Sequence, residues 1–110
     1  KSLISGRRER IKTQPNTLCD SLMAEIPGEI TFKINQKLIS YIDTVTNQQV
    51  IDAMRIIFNE FGLTVEPGGA VSLAAAISAI EKKAVDPDEN IVVVLSGGNI
   101  SKERHRKLIN

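Results

Sequence analysis

Cysteine, histidine and aromatic residues are nearly absent from this chain of 110 residues. One cysteine, Cys19, leaves no internal disulfide to form and fits a reducing compartment. One histidine, His105, beside that single thiol excludes a His/Cys zinc cluster built within the chain. Aromatic residues make up 4% and Trp is missing, so any core is aliphatic, built from Ile, Leu, Val and Ala. Long apolar runs are missing too. The longest, Val71 to Ile80, includes Ser72 and Ser78 and falls far short of the roughly 20 residues that span a bilayer. No charged segment followed by an apolar one opens the sequence, so no secretory signal is read there. Residue 1 is Lys rather than Met, which reads as the edge of a piece cut from a longer chain.

What is present is ordinary for a folded globular protein and too apolar for a disordered one, at 42% hydrophobic and 25% charged. The length suits one small domain or part of a larger one. The net charge of +1 hides an asymmetry: residues 1–12 carry +4, residues 102–107 carry +3, and the middle carries −6. Basic ends invite a nucleic-acid reading, but no aromatic residues interleave with them to stack on bases. Two solvated terminal segments are the simpler expectation, with no nucleic acid and no membrane as partner.

Residues 1–17 are polar and aperiodic and read as a loop ending in Gln14-Pro15-Asn16. A short helical turn is expected over Thr17–Ala24, a break at Pro27-Gly28 and a short helix over Thr31–Ser40. Tyr41–Val45 alternates and is β-branched, which suits a short strand. Thr46 with Gln49 three residues later forms a capping box, and apolar residues recur at helical spacing at Val50, Met54, Ile57, Phe58 and Phe61. Gly62 supplies the stop. A thin, Ala-rich helix is expected from about Ala70 to Lys83, with Lys82 and Lys83 at the negative end of its dipole, then a solvated turn at Asp86–Glu89. Ile91–Leu95 is five apolar residues without alternation, the pattern of a strand buried on both faces of a parallel sheet. It runs into Ser96-Gly97-Gly98-Asn99 and a basic helix from about Ser101 to Leu108. The order predicts α/β architecture with an incomplete parallel sheet, whose missing strands lie upstream or come from another chain.

In an open α/β sheet, ligands bind beyond the carboxyl ends of the strands. Ser96-Gly97-Gly98-Asn99 sits at such an end, where glycines admit a ligand to the backbone and Ser96 offers a hydroxyl. The spacing is neither a P-loop nor a dinucleotide fingerprint. Glu66-Pro67-Gly68-Gly69-Ala70 is a second candidate, although a carboxylate at a helix N-terminus is also stabilised simply by free N–H groups.

Glu66–Ala70 followed by Val92–Asn99 resembles the C-terminal portion of the serine/threonine dehydratases, pyridoxal-phosphate enzymes of fold type II with the tryptophan-synthase β-subunit-like fold. Thr17-Leu18-Cys19-Asp20-Ser21-Leu22, Pro27–Phe32, Ile42–Thr46 and Ala53-Met54-Arg55 are similar to further stretches of that family, in the same order. The resemblance implies a three-layer unit with a parallel sheet, the 1–110 segment being a C-terminal fragment of the large cofactor domain. It implies that Ser96 hydrogen-bonds the pyridine nitrogen of pyridoxal 5'-phosphate and that Glu66 lies close to the ring. Gly28 would stand beside the ring, and Gly97, Gly98 and Asn99 would shape the turn that presents Ser96. The family's Schiff-base lysine, substrate-carboxylate loop, phosphate loop and divalent-cation ligands would lie upstream, so no catalytic residue and no metal ligand is assigned here. The implied parent is a cytoplasmic, homo-oligomeric L-threonine/L-serine ammonia-lyase that releases a 2-oxo acid and ammonia. Alternatives are a serine racemase or hydroxyaspartate dehydratase of the same fold, or a stand-alone non-catalytic α/β binding domain. His105, Cys19 and Asp43 carry no chemistry in this reading: a solvated helix residue, a small packing residue and a cap or ion-pair partner.

Overall fold

A computed structural model describes residues 1–12, 16–86 and 88–110; Gln14, Pro15 and Pro87, expected in turns, lie outside them. The helices among the described residues are α1 (Ser2–Ser5), α2 (Glu29–Leu38), α3 (Asn47–Phe61), α4 (Pro67–Glu81) and α5 (Lys102–Ile109). A 3₁₀ turn covers Asp20–Leu22, inside the stretch where a helical turn was expected. The chain divides into two compact units, Lys1–Asn16 with Ser21–Asp43 and Thr17–Asp20 with Thr44–Asn110.

In the first unit α2 begins two residues earlier than the sequence suggests. Gly28 occupies its N-cap, and the Thr31 hydroxyl donates to the Gly28 carbonyl at 3.1 Å. Phe32 is the buried residue of α2. Around it the chain is tied by polar bonds: Arg8 Nε donates to the Pro27 carbonyl (2.7 Å), Gln36 Nε2 to the Gly6 carbonyl (3.0 Å), and Arg10 pairs with Glu25. Lys1 and Arg7 both pair with Glu9, so acids within the unit locally neutralise part of the basic N-terminal run.

The second unit is built on α3. Its capping box forms as read: Gln49 N donates to Thr46 Oγ1 at 3.2 Å, and Thr46 N donates to Gln49 Oε1 at 2.8 Å. Two orphan amides are satisfied at the helix start. Gly62 ends α3 in the left-handed region, φ 65°, with its amide bonded to the Phe58 carbonyl. Val50, Ala53, Met54 and Ile57 are buried, with Met54 at 0% exposure, whereas Phe61 is 64% exposed. The expected Met54–Phe61 core stripe is therefore shorter: Phe58 and Phe61 are exposed, and Ala53 joins the buried set. The partner is α4, whose Ala70, Ala74 and Ser78 are buried at four-residue spacing. Small side chains in that row let the two helices approach closely.

α4 starts at Pro67, three residues before the expected Ala70. Proline lacks an amide hydrogen and has φ preset, so the first helical position suits it. The helix ends at Glu81; Lys82 is its cap and Lys83 leaves it with φ 54°, so both lysines lie past the last turn. α5 is capped by Ser101, whose hydroxyl accepts from Arg104 N at 3.2 Å. Its His105 is 2% exposed, not solvated as the flanking Arg104, Arg106 and Lys107 suggest. The helix lies against α3, and Phe58 covers the imidazole with ring centroids 5.3 Å apart.

No β-strand forms among the described residues, so Tyr41–Val45 and Ile91–Leu95 run between helices without a ladder. A ladder needs a second strand, and neither segment finds one in the other. Val92 is 88% exposed while Val93 and Leu95 are half-buried, so Ile91–Leu95 is covered on one side rather than two. No helix among the described residues is long and apolar enough to cross a membrane.

Two substitutions test this packing. Thr46→Ala removes the cap and is expected to cost about 1 kcal/mol. Met54→Ala is expected to cost about 2–5 kcal/mol, because a fully buried side chain leaves a cavity. Denaturant melts of the two variants check the ranking.

Candidate functional site

The two motifs singled out in the sequence meet at the first turn of α4. Glu66 is the N-cap residue of that helix, and its amide donates to the Gly97 carbonyl at 3.1 Å. The Ser96–Gly97 backbone passes directly over Gly69. A Cβ on Gly69 would overlap the Ser96 carbonyl oxygen and lie 2.7 Å from the Gly97 oxygen. Glycine costs a helix roughly 1 kcal/mol relative to alanine, and close passage of another backbone explains its presence. One turn further on, the Ser72 hydroxyl donates to the Val94 carbonyl at 2.5 Å. On the other side, a Cβ on Gly98 would come within 3.2 Å of the Thr64 carbonyl oxygen. The segment from Val94 to Gly98 is thus held along its length by residues 64–72.

Gly97 adopts φ 76°, and a Cβ there would strike the Glu66 carboxylate. The Glu66 side chain makes no capping hydrogen bond to α4; it lies against Gly97 instead. The simple alternative for this carboxylate, direct capping of free helical N–H groups, is therefore not realised as a hydrogen bond. Ile100 N donates to the Gly98 carbonyl at 2.8 Å, closing a three-residue turn around Asn99 that leads into the Ser101 cap. Ser96, Gly97, Gly98 and Asn99 are all exposed, and the Ser96 hydroxyl has no hydrogen-bond partner among the described residues.

Of the residues expected at the site, the structure brings together Ser96, Gly97, Asn99 and Glu66. Gly28 belongs to the other unit, where it caps α2. Gly69 and Ser72 were missing from the expected set. The signal for Gly69 was available: a glycine pair inside the first turn of an otherwise Ala-rich helix calls for a backbone neighbour. Ser72 gave no such signal. Cys19 is buried, and burial pushes its thiol up from the ordinary value, as befits a packing residue.

Chemically, the loop offers one free hydroxyl on an immobilised backbone, flanked by glycines and one carboxylate. A flat heteroaromatic ring with an acceptor nitrogen fits this set: glycines leave room for a ring face, and the hydroxyl donates without adding charge. The chain is 30% identical over 109 residues to the L-threonine ammonia-lyase of Thermotoga maritima, covering 99% of this chain and 26% of that protein. It is also 30% identical over 96 residues to the serine racemase of Schizosaccharomyces pombe, covering 87% of this chain and 29% of that one. Its fold superposes on the processed form of threonine deaminase isoform 2 from Solanum lycopersicum with a TM-score of 0.87 and 30% identity, over 97% of this chain and 31% of that one. The chain thus spans between a quarter and a third of the length of these proteins. Its structural neighbours are fold type II enzymes, and residues 1–97 match the description "pyridoxal-phosphate dependent enzyme". This chain belongs to the pyridoxal-phosphate dependent enzymes, a family whose cofactor is pyridoxal 5'-phosphate.

Proposed function

We propose that this chain forms the Ser96 wall of the cofactor site in an L-threonine/L-serine ammonia-lyase. The observation that carries the reading is the free Ser96 hydroxyl on a loop pinned to the first turn of α4. In this reading the chain is the C-terminal portion of the large cofactor domain, and the lysine that holds the cofactor lies in the rest of the polypeptide. Ile91–Leu95 then becomes a strand of a parallel sheet whose neighbours the rest supplies; the exposure of Val92 and Val94 supports this. The whole protein would work as a cytoplasmic homo-oligomer.

Bound pyridoxal 5'-phosphate supplies an electron sink for bond cleavage at the α-carbon of an amino acid. This chain's residues set the sink's strength. Ser96 would donate a neutral hydrogen bond to the ring nitrogen, and a hydroxyl would not hold a proton there as a carboxylate would. A more modest sink suits loss of a β-hydroxyl, with release of a 2-oxo acid and ammonia. Glu66 stands beside Gly97, where its charge influences protonation around the ring. Gly97, Gly98 and Asn99 shape the turn that presents Ser96. Serine racemisation is the second reading, favoured by equal identity to a serine racemase; a hydroxyaspartate dehydratase is a further variant of the same chemistry.

The test uses the longest polypeptide encoded by the reading frame that contains these residues. Purified protein is expected to absorb near the visible edge and to release 2-oxo acid from L-threonine or L-serine. D-serine without oxo acid would turn the assignment to a racemase; neither cofactor absorbance nor either product would sink the proposal. Ser96→Ala is expected to lower turnover by about 10²-fold, the usual scale for one lost donor at a reacting group. Gly69→Ala retains the Ser96 side chain but displaces the loop that carries it. It should cost about 1–3 kcal/mol of stability and weaken cofactor retention, read by absorbance after dialysis.

A further inference from the structure

His105 is the buried residue of α5, and its Nε2 has no hydrogen-bond partner among the described residues. A buried polar atom left unpaired costs stability, so a histidine here needs a reason beyond packing. Its setting supplies one. Phe58 of α3 covers the ring, and Arg55 of α3 donates from Nε to the Ile109 carbonyl at 2.6 Å, fastening the far end of α5. The near end of α5 follows the Ser96–Asn99 loop with only Ile100 and Ser101 between. The loop is therefore anchored twice: on α4 through Glu66 and Gly69, and on α3 through α5.

We infer that His105 is a positioning residue for the Ser96 loop: neutral, it lets α5 seat on α3 and tether the loop, and protonated, it unseats both. This rests on the reading of Ser96 as the cofactor contact. Charged groups on the elements packed with α5 are paired among themselves. On α3, Asp52 pairs with Arg55; on α5, Glu103 pairs with Lys107 and Arg104 with Asp20 of the Thr17–Asp20 segment; Cys19 is neutral and buried. Lys102 and Arg106 of α5 and Glu60 of α3 are exposed, and no acid among the described residues pairs with the imidazole. Burial alone acts on the imidazole, holding its proton affinity below the ordinary histidine value. The folded state then binds fewer protons than the unfolded state between those two values. Stability from this group is complete above about pH 6.5 and falls as the pH drops below it.

Hydrogen–deuterium exchange of the intact protein tests this, with intrinsic exchange rates removed and peptides from α3 and from residues 96–109 followed between about pH 8 and about pH 4. The expected result is loss of protection in residues 96–109 as the pH falls below about 6.5, while α3 around Met54 stays protected. His105→Leu should abolish that loss and keep protection down to the carboxylate range near about pH 4. Should the leucine variant not fold, His105→Gln, neutral throughout, carries the same expectation. Protection in wild type that does not change with pH overturns the inference, as does an equal loss in either variant. Cofactor retention measured over the same range separates the two claims. If protection falls but the cofactor stays, His105 governs the loop and the Ser96 assignment is what fails.

Discussion

The close passage of the Ser96–Gly97 backbone over Gly69 is the constraint on which the rest of this structure depends. Only a residue without a Cβ permits it, and it fixes the Glu66 amide on the Gly97 carbonyl at 3.1 Å. With that contact made, an exposed loop becomes part of the first turn of α4. Its serine is then presented by a helix rather than by a flexible connection. Sites supported in this way hold their geometry better than free loops do.

The helical layer beneath explains why α4 is available for this task. α3 buries Val50, Ala53, Met54 and Ile57 against a row of small residues on α4, so α4 sits close and is fixed along its length. Its first turn, with Pro67, Gly68 and Gly69, is thereby free to receive another backbone. α5 closes the arrangement from the other side, through His105 and Arg55, so the Ser96 loop is strung between two supports on the same core.

Local signals carried most of this into the sequence. The Thr46/Gln49 box and Gly62 bounded α3 correctly, because both act through backbone groups within a few residues. Glu66-Pro67-Gly68-Gly69 and Ser96-Gly97-Gly98-Asn99 were legible as a pair, and the structure joins them. What was not legible depends on partners distant in the chain. Ile91–Leu95 reads as a doubly buried strand, but burial and ladder bonds need strands that these described residues do not provide. His105 reads as solvated because its neighbours are cationic, yet helix rotation turns that one position onto Phe58. Phe61 reads as core and is exposed, because helical spacing alone does not say where along a helix a packing partner is present.

The central claim is that a neutral hydroxyl on this pinned loop faces the cofactor's ring nitrogen. The ¹⁵N NMR shift of cofactor labelled at that nitrogen, bound to the intact protein, tests it most directly. An unprotonated ring nitrogen is expected in wild type, moved toward the protonated pyridinium value by Ser96→Asp. A pyridinium shift in wild type, or a shift indifferent to the residue at position 96, would contradict it.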